Sequence, residues 1–296
     1  MTGFIILNKE QNMTSFSACS RVRRLTGAKK AGHTGTLDPM ATGVLTVALS
    51  GAARFIDLLP SHDKSYKARA KLGVTTDTLD ITGKILSESP VSVTDGELRK
   101  TVLNFTGEIE QIPPMYSAVS VDGKRLYELA REGKEVERKS RRVNVYSAEI
   151  SDFDGREFGI EVTCSSGTYI RTLIDDIGRA LGCGAVMTQL ERTSANGFSV
   201  SEAHTLNDIE KAVGEGRIND LIIPVERCFD SLGRIAVSPA QSVRFKNGGE
   251  LALDRLKGSF NDAVYTVFSP EGEFLGLGEV KTDENILTVK KVYIDG

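Results

Sequence analysis

Cysteine and histidine are both scarce in this 296-residue chain, and neither is grouped. The four cysteines, Cys19, Cys164, Cys183 and Cys228, show no metal-like pairing, so reduced and mostly buried thiols are expected. The three histidines, His33, His62 and His204, stand far apart in sequence, and no metal site is expected. Long apolar runs are missing; none approaches the ~20 residues that a membrane span needs. No basic leader with a cleavage signal precedes Phe4-Ile5-Ile6-Leu7, so a cytoplasmic protein without membrane contact is expected. An excess of positive charge is lacking too. The formal net charge is −3 and the pI about 5.8, which does not advertise nucleic-acid binding. Residues 27 to 34, Gly-Ala-Lys-Lys-Ala-Gly-His-Thr, nearly spell a P-loop, but His33 stands where the phosphate-binding lysine belongs. Ser20 to Leu25 before it reads as a basic helix, where a P-loop needs an apolar strand. Triphosphate binding is therefore excluded, and no cofactor is expected.

What is present is a soluble composition, 40% apolar and 26% charged, on a chain longer than one typical domain. Residues 32 to 45 hold three glycines, His33 and Asp38 in a stretch too polar for a core strand and too rich in glycine for a long helix. Pro39 biases Asp38 toward extended backbone, so the loop presents its one acid on a stiff turn. A plainer reading makes Asp38 a helix N-cap, with Pro39 at the first helical position and Gly43 ending a single turn. Basic residues cluster at Arg21, Arg23, Arg24, Lys29 and Lys30 before this loop, and again at Arg138, Lys139, Arg141 and Arg142. Each cluster reads as a solvated face or as a phosphate contact.

Periodicity orders the rest. Phe4 to Asn8 reads as a strand. Thr14 or Ser15 caps a helix with Phe16, Cys19, Val22 and Leu25 on its apolar stripe, closed by Gly27. Val44 to Leu49 is a buried strand. Residues 66 to 72 alternate, with Tyr66, Ala68, Ala70 and Leu72 on one face and Lys67, Arg69 and Lys71 on the other. Thr94 and Glu97 form a capping box before Leu98, Val102, Leu103 and Phe105. Ile112 to Arg142 is an excursion, with extended chain at Pro113-Pro114, a turn at Asp122-Gly123 and a short helix over Lys124 to Glu132. Val143 to Phe153 pairs with Phe158 to Cys164, and a helix runs from Thr168 to Leu181. A break near Cys228 to Arg234 separates an α+β domain, 1–230, from a small, mostly β domain, 231–296.

The glycine loop follows the pattern G-H-x-G-T-L-D-P-x-A-x-G and resembles the active-site loop of the TruB-type tRNA pseudouridine synthases. Four further segments carry the same resemblance: Lys64 to Asp80 around Tyr66, Pro113 to Arg131, Cys164 to Gly178 around Arg171, and Leu190 to Phe198. Residues 238 to 293 resemble a PUA-type RNA-binding domain. The chain departs from the family at Lys9-Glu10, at Asn12 and at Ser120. The resemblance implies a pseudouridine-synthase domain on a mixed, largely antiparallel sheet, an excursion over 112–142 that grips RNA, and a PUA-like domain. It implies Asp38 as the catalytic residue and His33, Tyr66, Tyr169, Arg171 and Leu190 as substrate-binding residues. The implied substrate is the T stem-loop of tRNA, isomerised at uridine 55 with no guide RNA, no cofactor and no required protein partner.

The chemistry of these residue types agrees. A carboxylate can attack the sugar or base, or take a proton. Arg171 can hold it ionised through two hydrogen bonds, although Asp175 four residues on offers an ordinary helix ion pair instead. Tyr66 offers a ring face and a hydroxyl, or is a core aromatic; Tyr169 and Leu190 also read as core residues. His33 can stack where a flipped nucleotide leaves a gap. Asp175 and Asp176, about 100° apart on a helix, read as cap or surface charges. The competing readings are a guide-RNA-dependent catalytic subunit and an RNA-binding or tRNA-folding module with lost or secondary catalysis.

Overall fold

A computed structural model of the protein describes residues 1–295. A nine-stranded sheet forms its larger part, with the path Gly3–Lys9, Thr42–Leu49, Ala185–Ala195, Lys64–Leu72, Glu157–Cys164, Arg141–Phe153 and Gly107–Gln111. Two short strands, Ala31–His33 and Phe198–Ser199, attach beside this path. The sheet is mixed and largely antiparallel, as expected; the parallel contact joins Glu191-Arg192 to Thr42-Gly43. That contact is very close. A Cβ on Gly43 would lie 2.2 Å from the Arg192 carbonyl oxygen, and its φ of +98° is one that side chains disfavour. Glycine at 43 therefore serves strand pairing, and the Pro39-Met40 segment makes only a turn.

In the central strand Lys64–Leu72, Tyr66, Ala68, Ala70 and Leu72 are buried, and Lys67, Arg69 and Lys71 point outward. The predicted alternation thus fixes which face meets the helices. Thr14 caps the helix Ser15–Thr26, and Gly27 closes it with a φ of 67°. Its buried stripe is Ser15, Ala18, Cys19 and Val22. Phe16, expected on that stripe, is 78% exposed, because one step along a helix turns a side chain about 100° away. Leu103 likewise ends up exposed on the helix Asp95–Leu103, although the Thr94–Glu97 capping box forms as expected.

The excursion contains a two-stranded ribbon, Ser120-Val121 with Lys124-Arg125, and a helix over Leu126–Arg131. Lys124 and Arg125 are strand, not helix, because the Asp122-Gly123 turn folds them back onto Ser120 and Val121. The helix Ile170–Ala180 starts two residues later than expected, because Gln111 pins the Tyr169 backbone and the Thr168 hydroxyl donates back to the Ser165 carbonyl.

A second sheet takes the order Gly233–Ala236, Val264–Phe268, Phe274–Lys281, Ile286–Val292 and Leu251-Ala252, beside the helix Pro239–Lys246. Phe55 of the first body packs on Phe229, Phe274 and Tyr293 at centroid separations of 6.1, 6.1 and 6.3 Å. Such ring pairs add roughly 0.5–1.5 kcal/mol each beyond the area they bury, so this aromatic seam ties the two sheets together. No helix among the described residues is long and apolar enough to cross a membrane. Cys19, Cys164 and Cys183 are buried thiols and Cys228 is half-buried; none is in a disulfide.

Candidate active site

The glycine loop is held from both ends. Ser15 is 1% exposed, and its hydroxyl both donates to the Leu37 carbonyl (3.0 Å) and accepts from the Leu37 amide (2.8 Å). Lys9, fully buried, donates to the carbonyls of Glu10 and Met13, both at 2.8 Å, and reaches that of Pro39 at 3.4 Å. Burial lowers the Lys9 ammonium to about 8, opposed by the charge of Asp38. On the other flank Arg192, also fully buried, donates to the carbonyls of Val44 (2.7 Å) and Gly35 (3.2 Å). The Thr34 hydroxyl binds the Asn196 side chain. Six polar contacts to a segment this short leave the Asp38 carboxylate little freedom.

Arg171 reaches that carboxylate from 133 residues away. Its Nε lies 2.8 Å from Asp38 Oδ2 and its Nη2 3.0 Å from Oδ1, a two-pronged pair. The Arg171 side chain is only 4% exposed, whereas that of Asp38 is 31% exposed and open to a ligand. Two more guanidinium hydrogens go to the carbonyls of Thr78 (2.9 Å) and Tyr116 (2.8 Å). A buried second acid, Asp80, lies 3.7 Å away. Asp80 itself is fixed by the Thr78 hydroxyl and by the amide and hydroxyl of Thr82. Asp175 does not compete for Arg171. It is buried and pairs at 2.8 Å with Arg179, while Asp176 is half-buried and pushed up to about 6 by burial and by Asp175. Neither is the cap or surface charge that neighbouring helix positions suggested.

Asp38, Tyr66, Tyr169, Arg171 and Leu190 line one cleft of about 230 Å³, together with Lys64, Ser117 and Arg192. Tyr66 and Leu190 are mostly buried, at 7% and 8% exposed, so each is a core residue that also shows an edge to the cleft. Burial raises the Tyr66 hydroxyl, and the neighbouring Arg192 charge opposes this. Tyr169 stands at the N-terminus of its helix, with the Arg141 guanidinium 5.7 Å from its ring centre. His33 is not among the lining residues. It pairs with Val47 in the sheet, its Nδ1 is buried without a partner, and burial followed by the Arg192 charge lowers it. A larger groove of about 620 Å³ runs over Lys67, Arg69, Glu161, Gln189 and Glu191, where acid and base already neutralise each other.

The sequence reading did not single out Lys9, Lys64, Asp80, Gln111, Ser117 or Arg192. Lys64, Asp80 and Arg192 all lie inside segments that carried the resemblance, and Asp80 sits between Thr78 and Thr82, a pattern that fixes a carboxylate. The excursion is also not separate from the cleft, since Ser117 and Ala118 form part of its wall and the Tyr116 carbonyl accepts from Arg171.

Burial raises the Asp38 carboxyl; the Arg171 charge opposes this, and the nearby Asp80 charge adds to it. A reaction that needs the ionised carboxylate loses rate as pH falls through this raised value. The acid limb of the single-turnover rate is therefore expected above the ordinary carboxylate value of about 4. An acid limb at or below that value counts against Asp38 as the titrating group.

The family model described as TruB family pseudouridylate synthase (N terminal domain) matches residues 23–170, and the tRNA pseudouridylate synthase B C-terminal domain matches residues 171–230. The chain is 42% identical to the tRNA pseudouridine synthase B of Clostridium tetani, over 98% of this chain and 99% of that one. It is 45% identical to the enzyme of that name from Aromatoleum aromaticum, over 94% and 88%. Among solved structures, one of a Cbf5-Nop10-Gar1 complex matches with a TM-score of 0.74 and 27% identity, covering 99% of this chain and 85% of that chain. A structure of an H/ACA RNP bound to a substrate RNA containing 2'-deoxyuridine matches with the same TM-score at 25% identity, over 99% and 85%. Full-length identity of this order, a matching fold and an arginine-held aspartate in an open cleft together assign the chain: it belongs to the TruB family of pseudouridylate synthases, enzymes of the isomerase class.

Proposed function

We propose that this chain isomerises uridine to pseudouridine in tRNA, at the T-loop uridine numbered 55, and that it does so without guide RNA. The observation that carries the reading is the two-pronged Arg171–Asp38 pair in a cleft shared with Tyr66. The reaction breaks the bond from ribose C1' to uracil N1, turns the base, joins C1' to C5 and removes the C5 proton. It is redox-neutral, so one positioned carboxylate with proton-transfer groups is sufficient chemistry.

Asp38 is the catalytic residue in this reading, as nucleophile on sugar or base or as proton acceptor. Arg171 keeps it ionised and aimed. In this reading the Tyr66 ring faces the uracil and its hydroxyl moves the C5 proton. Tyr169 and Leu190 wall the base, and His33, outside the cleft, fills the space that a flipped nucleotide vacates. The second sheet is read as the PUA-like module 231–296. With the excursion 112–142 it grips the tRNA stem, through phosphate and shape more than base edges, since a paired stem offers little base readout.

The enzyme relatives support tRNA as substrate, being more similar in sequence (42–45%) than the RNP components (25–27%). The test is incubation with an unmodified tRNA transcript and no guide RNA. Pseudouridine at position 55 is expected. None without a guide RNA, but product on adding one, favours the guide-dependent reading.

Arg142 tests the grip. It is 72% exposed and pairs with Glu108 at 3.4 Å and Glu110 at 3.9 Å. Exposed pairs of this kind are weak, so a phosphate can displace them. Arg142→Ala is expected to weaken tRNA binding and to flatten its log-log salt dependence by about one unit of slope per lost phosphate contact. Normal binding with a lost chemical step at saturating tRNA would overturn that role. Arg141 is a poorer probe, because its contact with Tyr169 ties it to the cleft.

A further inference from the structure

The cleft contains two cations that the isomerisation chemistry leaves unused. Lys64 lies on its wall, half-buried. Among the described residues it has no ion pair; its ammonium makes one long hydrogen bond, 3.4 Å, to the His62 carbonyl. The adjacent acid, Asp63, accepts instead from the Tyr146 hydroxyl at 3.1 Å. Beside Lys64 stands Arg192, whose Nε and Nη2 brace the glycine loop and whose guanidinium also neighbours the Tyr66 hydroxyl, while its buried Nη1 makes no hydrogen bond of ordinary geometry. Leaving a buried guanidinium hydrogen unpaired costs more than an ordinary unmade bond, so the position suits an incoming acceptor. The two cations flank one gap. A Cβ built on Gly35 would lie 3.6 Å from Lys64 Nζ and 3.7 Å from Arg192 Nη1, and the absence of a side chain keeps that gap open. Burial, and after it the like charge of Arg192, lowers the Lys64 ammonium, and an anion placed in the gap would oppose both.

We propose that Lys64 and Arg192, across the gap at Gly35, form a phosphate-binding subsite that clamps a backbone phosphodiester flanking the uridine held against Tyr66. The inference rests on the function proposed above and adds a second anchor to it. Asp38 and Tyr66 address the nucleoside, whereas this pair addresses the sugar-phosphate on one side of it. A nucleotide turned out of its stack is mobile about its backbone, and fixing one phosphate restricts that motion before chemistry. The strand register supports a common task, since Lys64 and Tyr66 lie two apart on one face and Tyr66 pairs with Arg192 across the strands. Lys64 is thus a positioning residue. Free phosphate shares the same chemistry, but it lacks the adjoining nucleoside contacts and should bind only weakly.

The test uses the full chain and T stem-loop RNAs that carry a neutral methylphosphonate at one linkage, either 5' or 3' of the target uridine. Single-turnover rates are measured against enzyme concentration for the wild type, Lys64→Met and Lys64→Arg. Lys64 is chosen because fully buried Arg192 also braces the loop. At one of the two linkages, the neutral group should raise the half-saturating concentration for the wild type by about tenfold, the scale of one charged hydrogen bond. The same substitution should have little effect on Lys64→Met, and Lys64→Arg should recover the wild-type response. Inorganic phosphate at millimolar concentration should compete only weakly with RNA; tight competition would mean a site for the free ion and would overturn the assignment to RNA. Additive effects of Lys64→Met and the neutral linkage, or no effect at either linkage, would overturn the subsite while leaving the proposed function standing. A wild type that makes no pseudouridine from any of these RNAs would instead remove the function on which the subsite rests.

Discussion

Asp38→Asn is expected to keep the fold and to lose at least ~10³ in turnover, the scale for removing an essential catalytic group. The amide has nearly the shape of the carboxylate, but it offers Arg171 one acceptor where the carboxylate offers two, and it carries no charge. Folding should survive because the guanidinium keeps other partners. Asp80 lies 3.7 Å away and the carbonyls of Thr78 and Tyr116 accept at 2.9 and 2.8 Å. The measurement is single-turnover pseudouridine formation beside a thermal melt. Near-wild-type turnover in a folded variant would return Asp38 to a purely structural position in the loop.

Arg171 gives the second large effect, and two substitutions separate its duties. Arg171→Lys keeps one positive charge, but a single ammonium cannot make the fork to Asp38 while also reaching the Thr78 and Tyr116 carbonyls. Turnover should fall by about 10²–10³, since the carboxylate loses its aim, while most stability remains. Arg171→Met removes the charge altogether. It leaves Asp80, 5% exposed, beside Asp38 with no cation between them. Removing one partner of a buried ion pair costs about 3–5 kcal/mol, so this variant should melt well below the wild type at neutral pH. The sign of its pH response follows from the causes acting on Asp38. Burial raises that carboxyl and Arg171 lowers it, so without Arg171 the acid limb of any residual activity should move to higher pH. A lysine variant as fast as the wild type would show that the fork is not what orients Asp38.

Local chemistry made much of the architecture legible in advance. The Thr14 cap, the Gly27 stop and the Thr94–Glu97 box each depend on residues within a few positions, and all three appear. The alternation from Tyr66 to Leu72 predicted a face, and with it the direction in which Tyr66 points. The same reading failed where the local geometry took another course, a tight turn at Asp122-Gly123 and a single 100° step along a helix. Lys124-Arg125 joined a ribbon, and Phe16 rotated off its stripe into solvent.

For the site, the resemblance to the TruB family, carried by motifs in their order, singled out Asp38, Tyr66, Tyr169, Arg171 and Leu190, and these five line one cleft. Partner choice was not readable. Arg171 has an acid four residues away and takes one 133 residues away, because the helix turns Asp175 toward Arg179 while the loop delivers Asp38. His33 was grouped with the others by the resemblance; its backbone pairs with Val47 in the sheet, and it is not among the residues that line the cleft. The buried braces Lys9 and Arg192, the second acid Asp80, and the unpaired cations beside Gly35 emerged only in three dimensions. Their roles come from carbonyls and charges contributed by other strands, and a one-dimensional pattern records residue identity but not which distant groups the packed sheet brings within hydrogen-bond reach.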